Sequence, residues 1–481
     1  MDVHVNLVGR KDLSGEIYRQ LRRAIGDGRL RPGDVLPPTR HLARRLSVSR
    51  MTVTVAYDRL AAEGFVTSRV GAGTFVSEHA ARRGAAMNRP GDGVLRARQV
   101  WESISFPATV FIRPPRYDFR TGLPDVRLFP HRTWRRLVGR SLRDTGRVGV
   151  YQHPAGCPGL RAAIARHVGV SRGVTATSDD VTITNGTQQA LDVLARVLLG
   201  PGDRIAVEDP GYGAPRRLFQ SLGLQVMGVP VDRDGIVVNA IPRRVRAVYV
   251  TPSHQYPLGV CMTLARRQAL LTWAERNNAA IIEDDYDSEF RFGGRPLEAL
   301  QSLDTSGRVI YVGSFSKTML PTLRLGFIVT PPSLSSAVQK AKYVSDWHTP
   351  TLVQAALARF IDEGGYARHI RRASTAYRAR HEMIAATLTR DFANHLELLP
   401  SSTGLHLTAL VPRFTSEQIL AVHARAADRG VVFQPLSMFA VGDTPLAGVV
   451  LGYGAIATDD IEEALHLLRS CFSAQASRRR A

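Results

Sequence analysis

The sequence predicts an α/β protein in two parts. A small module with a helix-turn-helix and a hairpin wing opens the chain, and a large domain with a mostly parallel sheet, covered by helices on both faces, follows it. Three observations carry this expectation. At 481 residues the chain is too long for one hydrophobic core. Residues 36–66 hold two short helical patterns joined by a tight turn, with a hairpin pattern behind them. From about Tyr117 onward, short all-apolar runs alternate with helical patterns, as strands buried on both faces do.

In the head, "LSGEIYRQLRRAIGDG" places Ile17, Leu21 and Ala24/Ile25 at helical spacing, and Gly28 marks its stop. Pro38 and Thr39 suit the start of a second helix whose buried face is set by Leu42 and Leu46. "SVS" is the turn. Ser49 is placed to cap a third helix running to about Glu63 with Val53, Ala56, Tyr57 and Leu60 inward. "GFVTSRVGAGTFVS" then reads strand, glycine-containing turn, strand. The run "LPPTRHLARRLSVSRMTVTVAYDRLAAEGFV" resembles the GntR-type winged helix-turn-helix over its whole length. That resemblance implies a double-stranded operator DNA partner. It puts Arg40 at the opening of the second helix, Arg50, Thr52 and Thr54 at the start of the recognition helix, and Gly71 at the wing tip. Their chemistry agrees, because side chains at the start of a recognition helix reach base edges while Arg and Thr donate to phosphates.

Residues 79–116 mix Gly, Pro and Arg with little periodicity and are expected to tether a head at 1–78 to a domain at 117–481, whose smaller part spans roughly 345–481. Of 63 basic residues, lysine occupies only positions 11, 317, 340 and 342. A chain that uses arginine wherever a positive charge suffices keeps lysine where a deprotonable amine is needed, and Lys317, inside "RVIYVGSFSKTMLPTLRLGF", is such a position. Lys340 and Lys342, two apart in a polar helical stretch, are expected at the surface.

In the large domain "DVTITNGTQQALDVLARVLL", "DRIAVEDPGYGAPRRLFQSLG", "VRAVYVTPSHQYPLG" and "AAIIEDDYDSEF" repeat a scheme in which polar motifs follow apolar strands, where ligands collect in such folds. With "SFSKTMLPTLRLG" these motifs, in this order, resemble the fold-type I aminotransferases, and with the head they resemble the MocR/GabR-type regulators. The resemblance implies pyridoxal 5'-phosphate as cofactor and a homodimer with shared sites. Lys317 would form the Schiff base, Asp284 would pair with the ring nitrogen, and Tyr286 would donate to the ring oxygen. His254 and Gln255 fall on that oxygen side, and Tyr212 matches the aromatic that stacks on the ring. Gly186 and Thr187, at a helix start that favours an anion, would hold the phosphate with Ser314, Ser316 and Arg324. Tyr151, in "YQHPAGCPGLRAAIARH", would reach the partner's phosphate.

Two departures bear on function. Aminotransferases grip the substrate carboxylate with an arginine where "GVVLGYGAIA" has Val450, and the GABA-sensing relatives keep an arginine where Ala214 stands, with Arg216 and Arg217 nearby. The expectation is therefore a regulator whose aminotransferase-like domain senses pyridoxal phosphate itself, as in the branch controlling vitamin B6 synthesis, or an amino compound. The alternative is an aminotransferase with an accessory DNA-binding head. A net charge of +21 agrees with a polyanionic partner. No apolar run approaches the length of a membrane span, there is no secretory h-region, and Cys157, Cys261 and Cys471 make no metal-ligand spacing, so a soluble, cytoplasmic protein without structural zinc is expected.

Overall fold

The computed structural model describes residues 5, 7, 12–69, 71–78, 95–104, 114–145, 150–293, 298–442 and 446–478. The chain separates into two compact units, Met1–Arg98 and Gln99–Ala481. Most of the expected tether, at 79–94 and 105–113, lies outside the described residues, and within it Val100–Ser103 forms one helical turn.

In the first unit α1 (Leu13–Gly26) buries Ile17, Leu21, Ala24 and Ile25, and its N-cap Asp12 accepts from the Gly15 N–H at 3.2 Å. Strand β1 (Val35–Leu36) leads into α2 (Thr39–Leu46), whose Leu42 is buried while Leu46 is only half so. α3 (Arg50–Ala62) turns Val53, Ala56, Tyr57 and Leu60 inward, and the Ser49 side chain caps it by accepting from the Thr52 N–H at 3.1 Å. β2 (Val66–Arg69) and β3 (Gly73–Val76) form the antiparallel wing in a sheet ordered β1-β3-β2. Gly71 sits in the connecting turn at φ 78°, a conformation that only glycine adopts without strain.

After the turn at Val100–Ser103 the second unit continues with β4 (Tyr117–Asp118) and is built on eight strands: β5 (Val181–Thr184), β6 (Arg204–Asp209), β7 (Gln225–Asp232), β8 (Gly235–Ile236), β9 (Val245–Val250), β10 (Ala280–Asp285), β11 (Val309–Ser314) and β12 (Gly326–Val329). Their order is β5-β12-β11-β10-β9-β6-β7-β8. β7, β6, β9, β10 and β11 run parallel, whereas β12 is antiparallel to both its neighbours. Alternate residues of each strand feed opposite faces. Ile282, Ile310 and Ile328 meet Leu191, Leu194 and Phe219 on one side, and Ile281 and Val309 meet Leu270 and Ala274 on the other. This explains why the strands read as unbroken apolar runs.

A second sheet, ordered β13-β14-β17-β16, comprises β13 (Glu397–Leu398), β14 (His406–Leu410), β16 (Gln434–Pro435) and β17 (Gly448–Gly452). Its core takes residues from the helices Gly365–Asp391, Ser416–Asp428 and Ile461–Arg478 and also from Tyr117 and Phe119, because β4 pairs in parallel with β15 (Val431–Val432). The helix Thr351–Asp362 belongs instead to the core beside β5, where Leu357 and Phe360 meet Leu160 and Ile183. The segment 119–123 thereby runs past the carboxyl ends of the large sheet.

Candidate functional site

At the carboxyl ends of β9, β10 and β11 lies a cavity of about 380 Å³. Parallel strands end here on one edge, and the loops after them face one another, so residues far apart in sequence converge. β11 ends at Ser314, and three residues on Lys317 enters the cavity wall, where its Nζ donates to the Gly122 carbonyl at 2.8 Å. Burial lowers the pKa of this amine, with the Asp287 and Asp284 carboxylates opposing the shift. Lys317 is thus poised toward the neutral, nucleophilic form.

Asp284, near the end of β10, is 2% exposed. Its Oδ2 accepts from the Tyr249 hydroxyl at 2.7 Å, while Oδ1 is buried with no partner among the described residues. A buried carboxylate oxygen left unpaired is costly, and burial accordingly raises the Asp284 pKa to about 7. A protonated ring nitrogen supplies the donor that this oxygen lacks, so the acid fits a pyridine-type cofactor. At the other end, Thr187 and Gln188 open the helix Thr187–Leu198, and Ser314, Ser316 and Arg324 complete that wall. Gly186, the N-cap at φ 75°, lets the Arg324 guanidinium approach: a Cβ there would stand 2.9 Å from its Nη2, which donates to the Asn185 carbonyl at 2.8 Å. Free N–H groups at a helix start, hydroxyls and a guanidinium are the donor set of a phosphate.

Eight of the expected residues therefore line one cavity: Lys317, Asp284, Tyr286, Tyr212, Thr187, Ser314, Ser316 and Arg324. Tyr212 is 41% exposed and stands edge-on to Tyr256, their ring centroids 5.5 Å apart. The Tyr286 hydroxyl donates to the His254 carbonyl at 2.9 Å. His254 and Gln255 do not line the cavity but stand one layer behind it. The His254 Nδ1 lies 3.1 Å from both Asp287 oxygens, and Gln255 spends its amide on the carbonyls of Pro210 and Tyr256, each at 2.9 Å. Within this one chain Tyr151 stays outside the cavity, 75% exposed and 4.2 Å from the Trp347 ring.

Sequence reasoning misses Thr121, Tyr256, His406 and Gln434, which also line the cavity. They come from four separate segments and carry no local motif. Lys342 is a correction: its side chain is wholly buried and paired with Asp346, not at the surface.

In the head, Arg50 opens α3, exposed, with its Nε 3.4 Å from the Thr39 hydroxyl. Arg40 is exposed on the first turn of α2, Thr52 and Thr54 are half-buried on the first turns of α3, and Gly71 is exposed on the wing. Met51 and Val55, 69% and 48% exposed, add an apolar strip to the same helix.

A winged helix-turn-helix unit in one chain with an α/β unit of this kind defines a class, the DNA-binding regulators built on an aminotransferase fold. Residues 13–76 match the bacterial regulatory proteins of the gntR family, and residues 125–450 match aminotransferase class I and II. The chain is 40% identical over 467 residues to the probable rhizopine catabolism regulatory protein MocR of Rhizobium meliloti, covering 96% of this chain and 94% of that one. It is 32% identical over 440 residues to the pyridoxine biosynthesis transcriptional regulator PdxR of Corynebacterium glutamicum, covering 92% and 91%. Among solved structures, the second unit resembles the Pyrococcus horikoshii kynurenine aminotransferase complexed with PMP, at 27% identity and a TM-score of 0.70, over 79% of this chain and 95% of that one. The chain belongs to the MocR/GabR-type family of helix-turn-helix transcriptional regulators, a GntR head fused to an aminotransferase-like domain. The head is a DNA-binding module, and no helix among the described residues is long and apolar enough to cross a membrane.

Proposed function

We propose that this regulator holds pyridoxal 5'-phosphate covalently on Lys317 and that occupancy or reaction of that cofactor changes how a homodimer engages paired operator half-sites. Residues 1–78 serve as the DNA-binding head, 79–116 as a tether and 117–481 as the sensing and dimerising domain, in a cytoplasmic protein. The observation that carries the reading is the unpaired, buried Asp284 Oδ1 in the same cavity as the Lys317 amine. When bound, the cofactor supplies an aldehyde that condenses with primary amines and a ring that withdraws electrons. The chain's own groups then have distinct tasks. Lys317 provides the attaching amine, Asp284 holds a proton on the ring nitrogen, Tyr212 covers the mouth, and Thr187, Ser314, Ser316 and Arg324 bind the phosphate. Tyr151 of each protomer serves its partner's phosphate. The sensed molecule is pyridoxal phosphate itself or an amine that reacts with it, and it shifts the dimer only through a difference in affinity for the two head arrangements.

The test is borohydride reduction of the full-length protein after incubation with pyridoxal phosphate, followed by peptide mass mapping. A phosphopyridoxyl adduct on Lys317, absent in Lys317→Ala, is expected, with operator affinity changing when the cofactor is added. An unmodified Lys317 overturns the reading, and steady conversion of an amino acid to an oxo acid would move the protein to the transaminases.

A further inference from the structure

We propose that the molecule sensed beside the cofactor is an amine bearing hydroxyl groups and no carboxylate, an amino alcohol or aminated polyol. This deepens the reading above and rests on pyridoxal phosphate being held on Lys317.

Charge argues first. A carboxylate entering a partly buried site needs an available cation, because its desolvation costs several kcal/mol otherwise. Among the described residues three cations line the cavity. Lys317 is the attaching amine. Arg324 sits at the phosphate end with Nη2 on the Asn185 carbonyl. Arg120 is closed on Asp118 through two bonds, Nε to Oδ1 at 2.8 Å and Nη2 to Oδ2 at 2.6 Å, with both side chains about nine-tenths buried. Arg216 and Arg217 are not in the wall, and the Arg216 guanidinium is bound to the Ala440 carbonyl. Val450, where a clamp would stand, is fully buried between Thr408 and Gln434 in the sheet. Asp287, also in the wall, brings a carboxyl group there and no cation.

Hydrogen-bond polarity argues second and independently. The wall away from the phosphate end includes Thr121, Tyr256, Gln434 and His406. Gln434 Oε1 accepts from the Thr121 N–H at 2.9 Å and from its hydroxyl at 2.5 Å, and that hydroxyl lies 2.5 Å from the Tyr256 hydroxyl. The Gln434 amide N–H groups make no hydrogen bond among the described residues, so they remain as donors. His406 is 2% exposed, and burial lowers its pKa well below the ordinary value, so the ring is neutral. Its Nε2 lies 3.0 Å from the Pro257 carbonyl. A carbonyl only accepts, so Nε2 carries the proton and Nδ1 is left as an acceptor. A wall that offers both donors and an acceptor suits hydroxyl groups, which do both. A carboxylate offers acceptors only and would face the bare His406 Nδ1.

Serine and serinol form a matched pair, differing only in a carboxylate against a second hydroxymethyl group. The full-length protein loaded with pyridoxal phosphate is titrated with each, with glucosamine and with isopropylamine, following the cofactor's visible absorbance and operator affinity. Serinol is expected to act at a concentration at least tenfold below that of serine and of isopropylamine. Gln434→Leu should bring serinol toward isopropylamine. Serine acting at or below the concentration of serinol, or no response to serinol or to glucosamine, overturns the ligand class while leaving the cofactor reading intact. Failure to trap the cofactor on Lys317 in the same preparation removes both.

Discussion

Lys342 and Asp346 form an ion pair one turn apart on the helix Pro332–Asp346, and the lysine side chain is wholly buried. The carboxylate also accepts from the Asn185 and Gln189 side-chain amides, each at 2.7 Å, and Gln189 Oε1 in turn accepts from the Asn185 N–H at 2.8 Å. Asn185 and Gly186 make the turn that presents the helix start to the phosphate end of the cavity. Asp346→Ala would strand a buried ammonium, and a loss of about 3 kcal/mol in urea unfolding is expected together with faster release of pyridoxal phosphate. Lys342→Met keeps the volume and leaves the carboxylate its two amides, so it should cost less than half as much. Equal stability of the two variants would show that the pair does not brace the turn.

Burial raises Asp284, Glu208 and Glu283 each to about 7. A carboxyl whose folded pKa exceeds its unfolded value binds more protons in the native state, so its stabilising effect is present at acid pH and is lost as pH rises toward and through 7. The cofactor-free protein should therefore unfold more easily at about pH 8 than at about pH 5. Asp284→Asn removes one of the three ionisations. Because a tenfold difference in proton affinity between the folded and unfolded chain is worth about 1.4 kcal/mol, a gain of roughly 1–3 kcal/mol over wild type at about pH 8 is expected, shrinking as pH falls and vanishing only below the unfolded carboxyl pKa of about 4. The same variant should retain pyridoxal phosphate poorly. A pH-independent difference between the two proteins would refute the assignment.

What can be read from the sequence follows from how local the signal is. The strands β9, β10 and β11 announce themselves because both faces are buried, and Lys317 and Asp284 stand close to their carboxyl ends, where a short motif fixes the geometry. Thr121, His406 and Gln434 cannot be found that way. Thr121 enters because β4 pairs with β15, and His406 and Gln434 because β14 and β16 flank β17. His254 and Gln255 carry the same lesson at short range. The loop after β9 folds so that Gln255 anchors it to the Pro210 carbonyl, and Tyr256 supplies the side chain that reaches the cavity. Lys342 escapes sequence reasoning because its spacing from Lys340 says nothing of the Asp346 carboxylate that allows a lysine to be buried.

The homodimer proposed above requires a face with exposed apolar side chains. Val344 is 81% exposed and Tyr151 75%, and Trp347 stands with its ring 4.2 Å from that of Tyr151 and 5.5 Å from that of Tyr343. Val344→Glu puts a charge in this strip without disturbing the core. Sedimentation equilibrium should show the dimer dissociation constant rising at least tenfold, with thermal stability of the monomer unchanged. An unaltered dimer would place the interface elsewhere.

The head separates folding from recognition on adjacent residues. Ser49 caps α3 through the Thr52 N–H and lies 2.8 Å from the Thr52 hydroxyl, so Ser49→Ala should lower the stability of the head by about 1 kcal/mol. Arg50 is exposed and makes one long contact to Thr39, so Arg50→Ala should leave stability unchanged and weaken operator binding about tenfold. The salt dependence then tells what Arg50 touches. If it meets a phosphate, binding to all sequences weakens alike and the slope of log affinity against log salt falls by about one; if it meets a base edge, selectivity between operator and random DNA falls and the slope is kept. An Arg50→Ala protein that binds operator as tightly as wild type, measured at two salt concentrations, would remove α3 from the recognition surface.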